Sequence, residues 1–130
     1  MADRIELARL KITPVWGILP LPAYKLTLVQ QGTDFRVEAC EQTGRLRKLW
    51  RVSVPPDEVT QHLNALRKAT LPAFPVSPLV CDGEHVELTI RGEGSDLTLG
   101  WCTASPFGAD ALAGFADWLR KLVASHAETR

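Results

Sequence analysis

Residues 80–103, VCDGEHVELTIRGEGSDLTLGWCT, gather two cysteines, one histidine and five carboxylates in a single short stretch. Cys81, His85 and Cys102 are side chains of the types that ligate zinc. Cys102, His85 and Glu87 supply the thiol, imidazole and acid of a cysteine-dependent enzyme. Each chemistry asks for more than residue type. Structural zinc takes four ligands in close pairs such as CxxC, and the chain contains neither such a pair nor an evident fourth ligand. A reactive thiolate needs an electropositive niche, whereas this pair has acidic neighbours. The glycines of Arg91 to Asp96, RGEGSD, resemble a phosphate loop only in composition, because a phosphate cradle opens onto a helix and here a strand pattern follows. The residues therefore predict no metal site and no cofactor. A small enzyme using Cys102, His85 and Glu87 stands as the rival to a non-catalytic protein.

The elements that would position these groups follow from periodicity. Val86, Leu88 and Ile90 alternate with His85, Glu87, Thr89 and Arg91, and Leu97, Leu99 and Trp101 supply a matching strand. A loop of Glu93 to Asp96 predicts Ile90 opposite Leu99, Leu88 opposite Trp101 and Cys102 opposite Glu87, with His85 diagonal. Asp82-Gly83 reads as turn chemistry ahead of this hairpin.

Upstream, Tyr24, Leu26 and Leu28, then Phe35, Val37 and Ala39, alternate in two further strands. A turn at Gln31-Gly32 predicts Leu28 opposite Phe35, Leu26 opposite Val37 and Lys25 opposite Glu38. RLRKLWRVSV, residues 45–54, predicts a third strand with Leu46, Trp50, Val52 and Val54 on one side, interrupted by Lys48, and Arg45, Arg47, Leu49 and Arg51 on the other. A turn at Gln42-Thr43 would match charges, Arg47 to Glu38 and Arg51 to Asp34.

Pro55-Pro56, then Asp57 and Glu58, open a helix over 55–70 with Val59, Leu63 and Leu66 on its apolar side. His62 reads as a boundary residue on it. Leu112, Phe115, Leu119 and Leu122, broadened by Trp118 and Val123, mark a second helix over 108–126. The expected fold is α+β, a mostly antiparallel sheet in the order β-β-β-α-β-β-α with both helices on one face. One domain spans 1–130, comprising an apolar, proline-containing segment at 1–23, a three-stranded meander at 24–54, the helix at 55–70, the hairpin at 79–103 and the C-terminal helix at 108–126. At 130 residues and 45% hydrophobic content the chain can fill one core.

Fifteen basic and fifteen acidic residues cancel, so no overall field draws in nucleic acid or an anionic membrane. The basic run Arg45 to Arg51 includes Trp50, yet strand alternation turns the arginines away from the indole, which denies nucleic acid a combined cationic and stacking platform. The apolar run 12–23 is too short to span a bilayer and contains three prolines. The N-terminus lacks the apolar core of a secretory signal, and an odd count of three cysteines argues for reduced thiols, which together predict a cytoplasmic protein.

What remains is surface for another protein. Trp16, in its apolar segment, is one candidate. The sheet face without helices, carrying Arg36, Glu38, Arg47, Arg51, Glu87 and Arg91, is the other. A homo-oligomer built through the N-terminal segment is a third arrangement.

Asp82-Gly83, Val86-Glu87-Leu88-Thr89-Ile90, Gly100-Trp101 and the helix from Phe115 to Leu122 form a pattern similar to that of small uncharacterised bacterial α+β proteins, some of which resemble immunity proteins that neutralise a toxin. The likeness covers roughly the last fifty residues and rests on fold-defining positions. It departs at His85-Val86, where an aromatic residue often stands in that pattern, and the N-terminal apolar segment has no counterpart in it. The resemblance implies a bacterial, non-catalytic, partner-binding protein and assigns no site residue.

Overall fold

A computed structural model describes residues 3–14, 22–68, 84–92, 96–102 and 110–127. Six strands and two helices lie among them: β1 (Arg4–Pro14), β2 (Ala23–Gln31), β3 (Asp34–Thr43), β4 (Leu46–Val54), α1 (Pro56–Lys68), β5 (Glu84–Arg91), β6 (Asp96–Cys102) and α2 (Asp110–Ala127). The strands form one sheet in the order β4-β3-β2-β1-β5-β6, and every neighbouring pair is antiparallel. This is the expected α+β class with one strand added. Within segment 1–23, to which the sequence pattern assigns no strand, Arg4–Pro14 contributes the strand that joins the β2–β3–β4 meander to the β5–β6 hairpin.

β1 changes phase partway along. Glu6 pairs with Val29 and Ala8 with Leu28, so Leu7 is an extra residue without its own partner, a β-bulge. Before the bulge Ile5 lies on the helix-bearing face but is exposed. After it Ala8, Leu10 and Ile12 lie on that face, and each is buried. In an unbroken strand Glu6 and Arg9, three positions apart, would point to opposite faces. The bulge puts them on the same one, where they form a salt bridge at 2.8 Å.

The expected registers slip by even numbers, which keeps every face and changes every partner. Gly32 and Gly44 adopt φ of 64° and 60°, and the two-residue turns fall at Gly32-Thr33 and Gly44-Arg45 rather than one and two residues earlier. Leu28 consequently pairs with Val37, Leu26 with Ala39 and Thr27 with Glu38. Arg51 lies opposite Glu38 and Arg47 opposite Gln42. In the second hairpin Ile90 pairs with Leu97, Leu88 with Leu99, His85 with Cys102 and Glu87 with Gly100, because the four residues between the paired ends are 92–95 rather than 93–96.

The core lies between one sheet face and the helices. Leu10, Leu26, Leu28, Val37, Val52 and Leu88 meet Val59 of α1 and Phe115, Leu119 and Val123 of α2. α1 begins where Pro55 ends β4, its carbonyl accepting hydrogen bonds from the N–H groups of Glu58 and Val59, with Asp57 and Glu58 at the positive end of the dipole. His62 of α1 and Trp118 of α2 stack with ring centroids 4.1 Å apart and tie the helices together.

Leu10→Ala is expected to cost about 3 kcal/mol, since a fully buried central-strand leucine leaves a cavity when truncated. Leu46→Ala, at a site 77% exposed, should change stability by less than about 0.5 kcal/mol. Urea unfolding of both variants checks the contrast.

Candidate functional site

The face of the sheet turned away from the helices collects alternate residues of all six strands. From β4 to β6 one row reads Arg51, Glu38, Thr27, Arg9, Thr89, Thr98. The next reads Leu49, Cys40, Lys25, Lys11, Glu87, Gly100. On the other side of the first row lie Arg36, Val29 and Glu6.

Around Val29 this face is closed by ion pairs. Glu38 accepts from Arg4 at 2.6 Å and from Arg36 at 3.1 Å, and Arg36 also donates to Gln31 at 2.9 Å. Glu6 accepts from Arg9 at 2.8 Å and from Arg91 at 2.7 Å, while Arg91 reaches on to Asp96 at 2.7 Å. Each glutamate thus bridges two arginines from different parts of the sheet. Val29 lies between Glu6 and Arg36 in the register. Val29 and Thr27 are buried at 0% and 6% exposure although no helix covers them.

The electrostatics follow from this geometry. Hydrogen bonds from Arg4, opposed by burial and aided by Arg36, hold the Glu38 carboxyl below the usual carboxylate range. For Glu6 burial pushes upward, and the hydrogen bonds from Arg91 and Arg9 outweigh it, so its net shift is also downward. Arg4, hydrogen-bonded to Glu38, is held protonated more firmly than an isolated guanidinium.

The other half of the face has no such closure. Lys11 and Lys25 are direct cross-strand partners. Both are exposed, and among the described residues neither forms an ion pair. Like charges in that position work against the fold. Arg51 faces Glu38 across the strands but makes no salt bridge with it, because Arg4 and Arg36 already occupy that carboxylate. Arg47 donates weakly to the Cys40 thiol at 3.5 Å. Leu49 stands among these cations with 63% of its surface exposed.

The sequence-predicted candidates therefore separate. Arg36, Glu38 and Arg91 are consumed by the closed half. The expected pairings of Arg47 with Glu38 and Arg51 with Asp34 do not form, and Arg47 and Arg51 remain on the uncompensated half. Glu87 is half-buried beside Lys11. Trp16 lies outside the described residues. Lys11, Lys25 and Leu49 complete the cluster, and nothing in the linear sequence showed the two lysines meeting until β1 was recognised as the partner of β2.

Of the thiol and imidazole candidates, Cys81 lies outside the described residues. The backbone places Cys102 opposite His85 rather than opposite Glu87, which pairs with Gly100. The His85 imidazole leans across that glycine, close enough that a Cβ there would meet Nε2 at 3.2 Å. Among the described residues no three His, Cys, Asp or Glu side chains converge as a metal site would require. No protein-family model matches the chain, and no match was found among curated proteins or solved structures.

Because the carboxyls of Glu6 and Glu38 titrate lower when folded than the unfolded value of about 4.3, their contribution is fully present above that pH. It is lost as pH falls through the lower folded values. Acid titration of unfolding free energy should show this loss, and Glu6→Gln with Glu38→Gln should shallow it, each costing about 1 kcal/mol or less at neutral pH.

Proposed function

We propose that this chain is a small non-catalytic binding protein of the bacterial cytoplasm, immunity-like in the sense that it acts by occupying a partner protein, and that the partner docks on Lys11, Lys25, Leu49, Arg47 and Arg51. The observation that carries the reading is the uncompensated half of the sheet face. Two lysines held directly opposite each other repel, and although Glu87 stands across from Lys11 on β5, neither lysine forms an ion pair among the described residues. A partner surface bearing carboxylates would remove that repulsion on binding and would be steered by it on approach. Leu49, 63% exposed on the edge strand between Arg47 and Arg51, supplies an apolar anchor with Lys25 and Lys11 further along the same row.

A protein suits this patch better than nucleic acid. Trp50, the aromatic residue of the basic strand, is buried at 6% exposure on the opposite face and offers no stacking surface beside the cations. Self-association by antiparallel pairing of the β4 edges would set Arg45, Arg47, Lys48 and Arg51 of two copies against each other. Among the described residues no helix is long and apolar enough to cross a membrane.

The test is capture from the native host with the wild-type chain and with Arg47→Glu/Arg51→Glu as parallel baits. A single protein of acidic surface retained by the wild type and reduced at least tenfold on the charge-reversed bait is expected. Equal retention by both baits, or retention of nuclease-sensitive material instead, would refute this docking face. Lys25→Thr should separate the roles, raising stability by a few tenths of a kcal/mol while weakening capture.

A further inference from the structure

β4 is an outermost strand of the sheet, so one of its sides has no strand beside it among the described residues. Which of its backbone groups point that way follows from the turn. A two-residue turn at Gly44-Arg45 closes on a hydrogen-bonded pair, Thr43 with Leu46, and such pairs alternate along an antiparallel ladder. Leu46, Lys48, Trp50 and Val52 therefore bond to β3, while the N–H and C=O groups of Arg47, Leu49 and Arg51 point outward. The same three residues place their side chains on the face without helices. Leu46 at 77% and Leu49 at 63% exposure, with Arg47 and Lys48 also exposed, leave this stretch of edge accessible from both faces. Such an edge is a template for another strand.

We infer, resting on the docking face proposed above, that the partner enters as an acidic extended segment that pairs antiparallel with β4 and extends the sheet. Antiparallel addition sets the residues that hydrogen-bond to Arg47, Leu49 and Arg51 directly opposite them, with their side chains on the same face. Carboxylates opposite Arg47 and Arg51 and an apolar residue opposite Leu49 complement that row, so the recognised pattern is acid, apolar, acid at alternate positions. Both arginines are available to it. Neither forms an ion pair among the described residues, and Glu38, the acid across from Arg51 on β3, already serves Arg4 and Arg36. Lys48, on the helix-bearing face, has Glu41 as its register partner and takes no part in this row. A second copy of the chain fits poorly, because antiparallel β4 pairing centred on Leu49 sets Arg47 against Arg51. The other edge of the sheet, β6, presents Asp96, Thr98 and Gly100 on the same face and has no cation of its own to receive an acidic strand.

The probe is a blocked heptapeptide in which two glutamates flank a central valine, with threonines at the intervening and terminal positions, titrated into the isotope-labelled full chain. Saturable binding is expected, weakened about tenfold by Arg47→Glu/Arg51→Glu and lost when lysines replace the glutamates. Bound peptide should slow hydrogen exchange at the Arg47, Leu49 and Arg51 amides. N-methylation of the peptide's valine and glutamates, which removes the donors facing β4, should abolish binding, whereas N-methylation of the intervening threonines should be tolerated. Absence of saturable binding at millimolar peptide, unchanged exchange at those amides, or equal sensitivity to the two methylation patterns would overturn strand addition. Were one of these results to accompany charge-dependent capture of a host protein, the docking face would stand and only the strand mode would fall. Peptide binding and amide protection without any such capture would refute the host partner and support the strand mode.

Discussion

The structure depends on one strand that is hydrogen-bonded on both sides and changes phase at Leu7. β1 is the shared edge of a β2–β3–β4 meander and a β5–β6 hairpin, and without it the two pieces would be separate small sheets with exposed edges. The bulge decides what each of its side chains does. It lets Ala8, Leu10 and Ile12 serve the core while Arg4, Glu6 and Arg9 all reach the opposite face. There the same residues meet Glu38 from β3 and Arg91 from β5, so the charged groups of three strands close over Val29.

The division of that face follows from carboxylate supply. Glu6 and Glu38 each serve two arginines, which leaves nothing for Arg51 although Glu38 is its register partner. Surface ion pairs contribute little individually. A shared lattice acts differently, because removing one glutamate leaves two arginines without their acid. The lysine pair at Lys11 and Lys25 forms no ion pair among the described residues, with Glu87 across from Lys11 as its one opposite-charge register neighbour. Folding thus satisfies one half of the sheet face internally and leaves the other half cationic around Leu49, and the functional reading rests on that asymmetry.

Much of the architecture was legible because alternation and helical spacing are local properties. Val86, Leu88 and Ile90, or Phe115, Leu119 and Val123, declare their faces without knowledge of their neighbours. Register was less legible, since moving a turn by one residue in a hairpin shifts partners by two and leaves the faces intact, so facial patterning could not distinguish Leu28–Phe35 from Leu28–Val37. The position of the left-handed glycine within the turn, Gly32 or Gly44 at its first residue, decided the matter. β1 was hidden for a related reason. Its phase step breaks the alternation of IELARLKIT, so Leu7 and Ala8 look like an interruption of a strand when they are a bulge within one. The lysine pair depended on recognising that strand, whereas Arg47 and Arg51 were visible from composition and face alone.

Deleting single residues of β1 tests the phase step most directly, with equilibrium unfolding as the measurement. Removing Leu7 regularises the strand and leaves Leu10 and Ile12 facing the helices, so the chain should still unfold cooperatively, losing about 1–2 kcal/mol of packing. Removing Lys11 turns Ile12 to the wrong face if the bulge stays, or drives Arg9 into the core in place of Leu10 if the bulge is absorbed, and should abolish the cooperative transition. Equal loss of folding in both deletions, or tolerance of the Lys11 deletion with collapse of the Leu7 one, would contradict a bulge at Leu7 and with it the origin of the divided face.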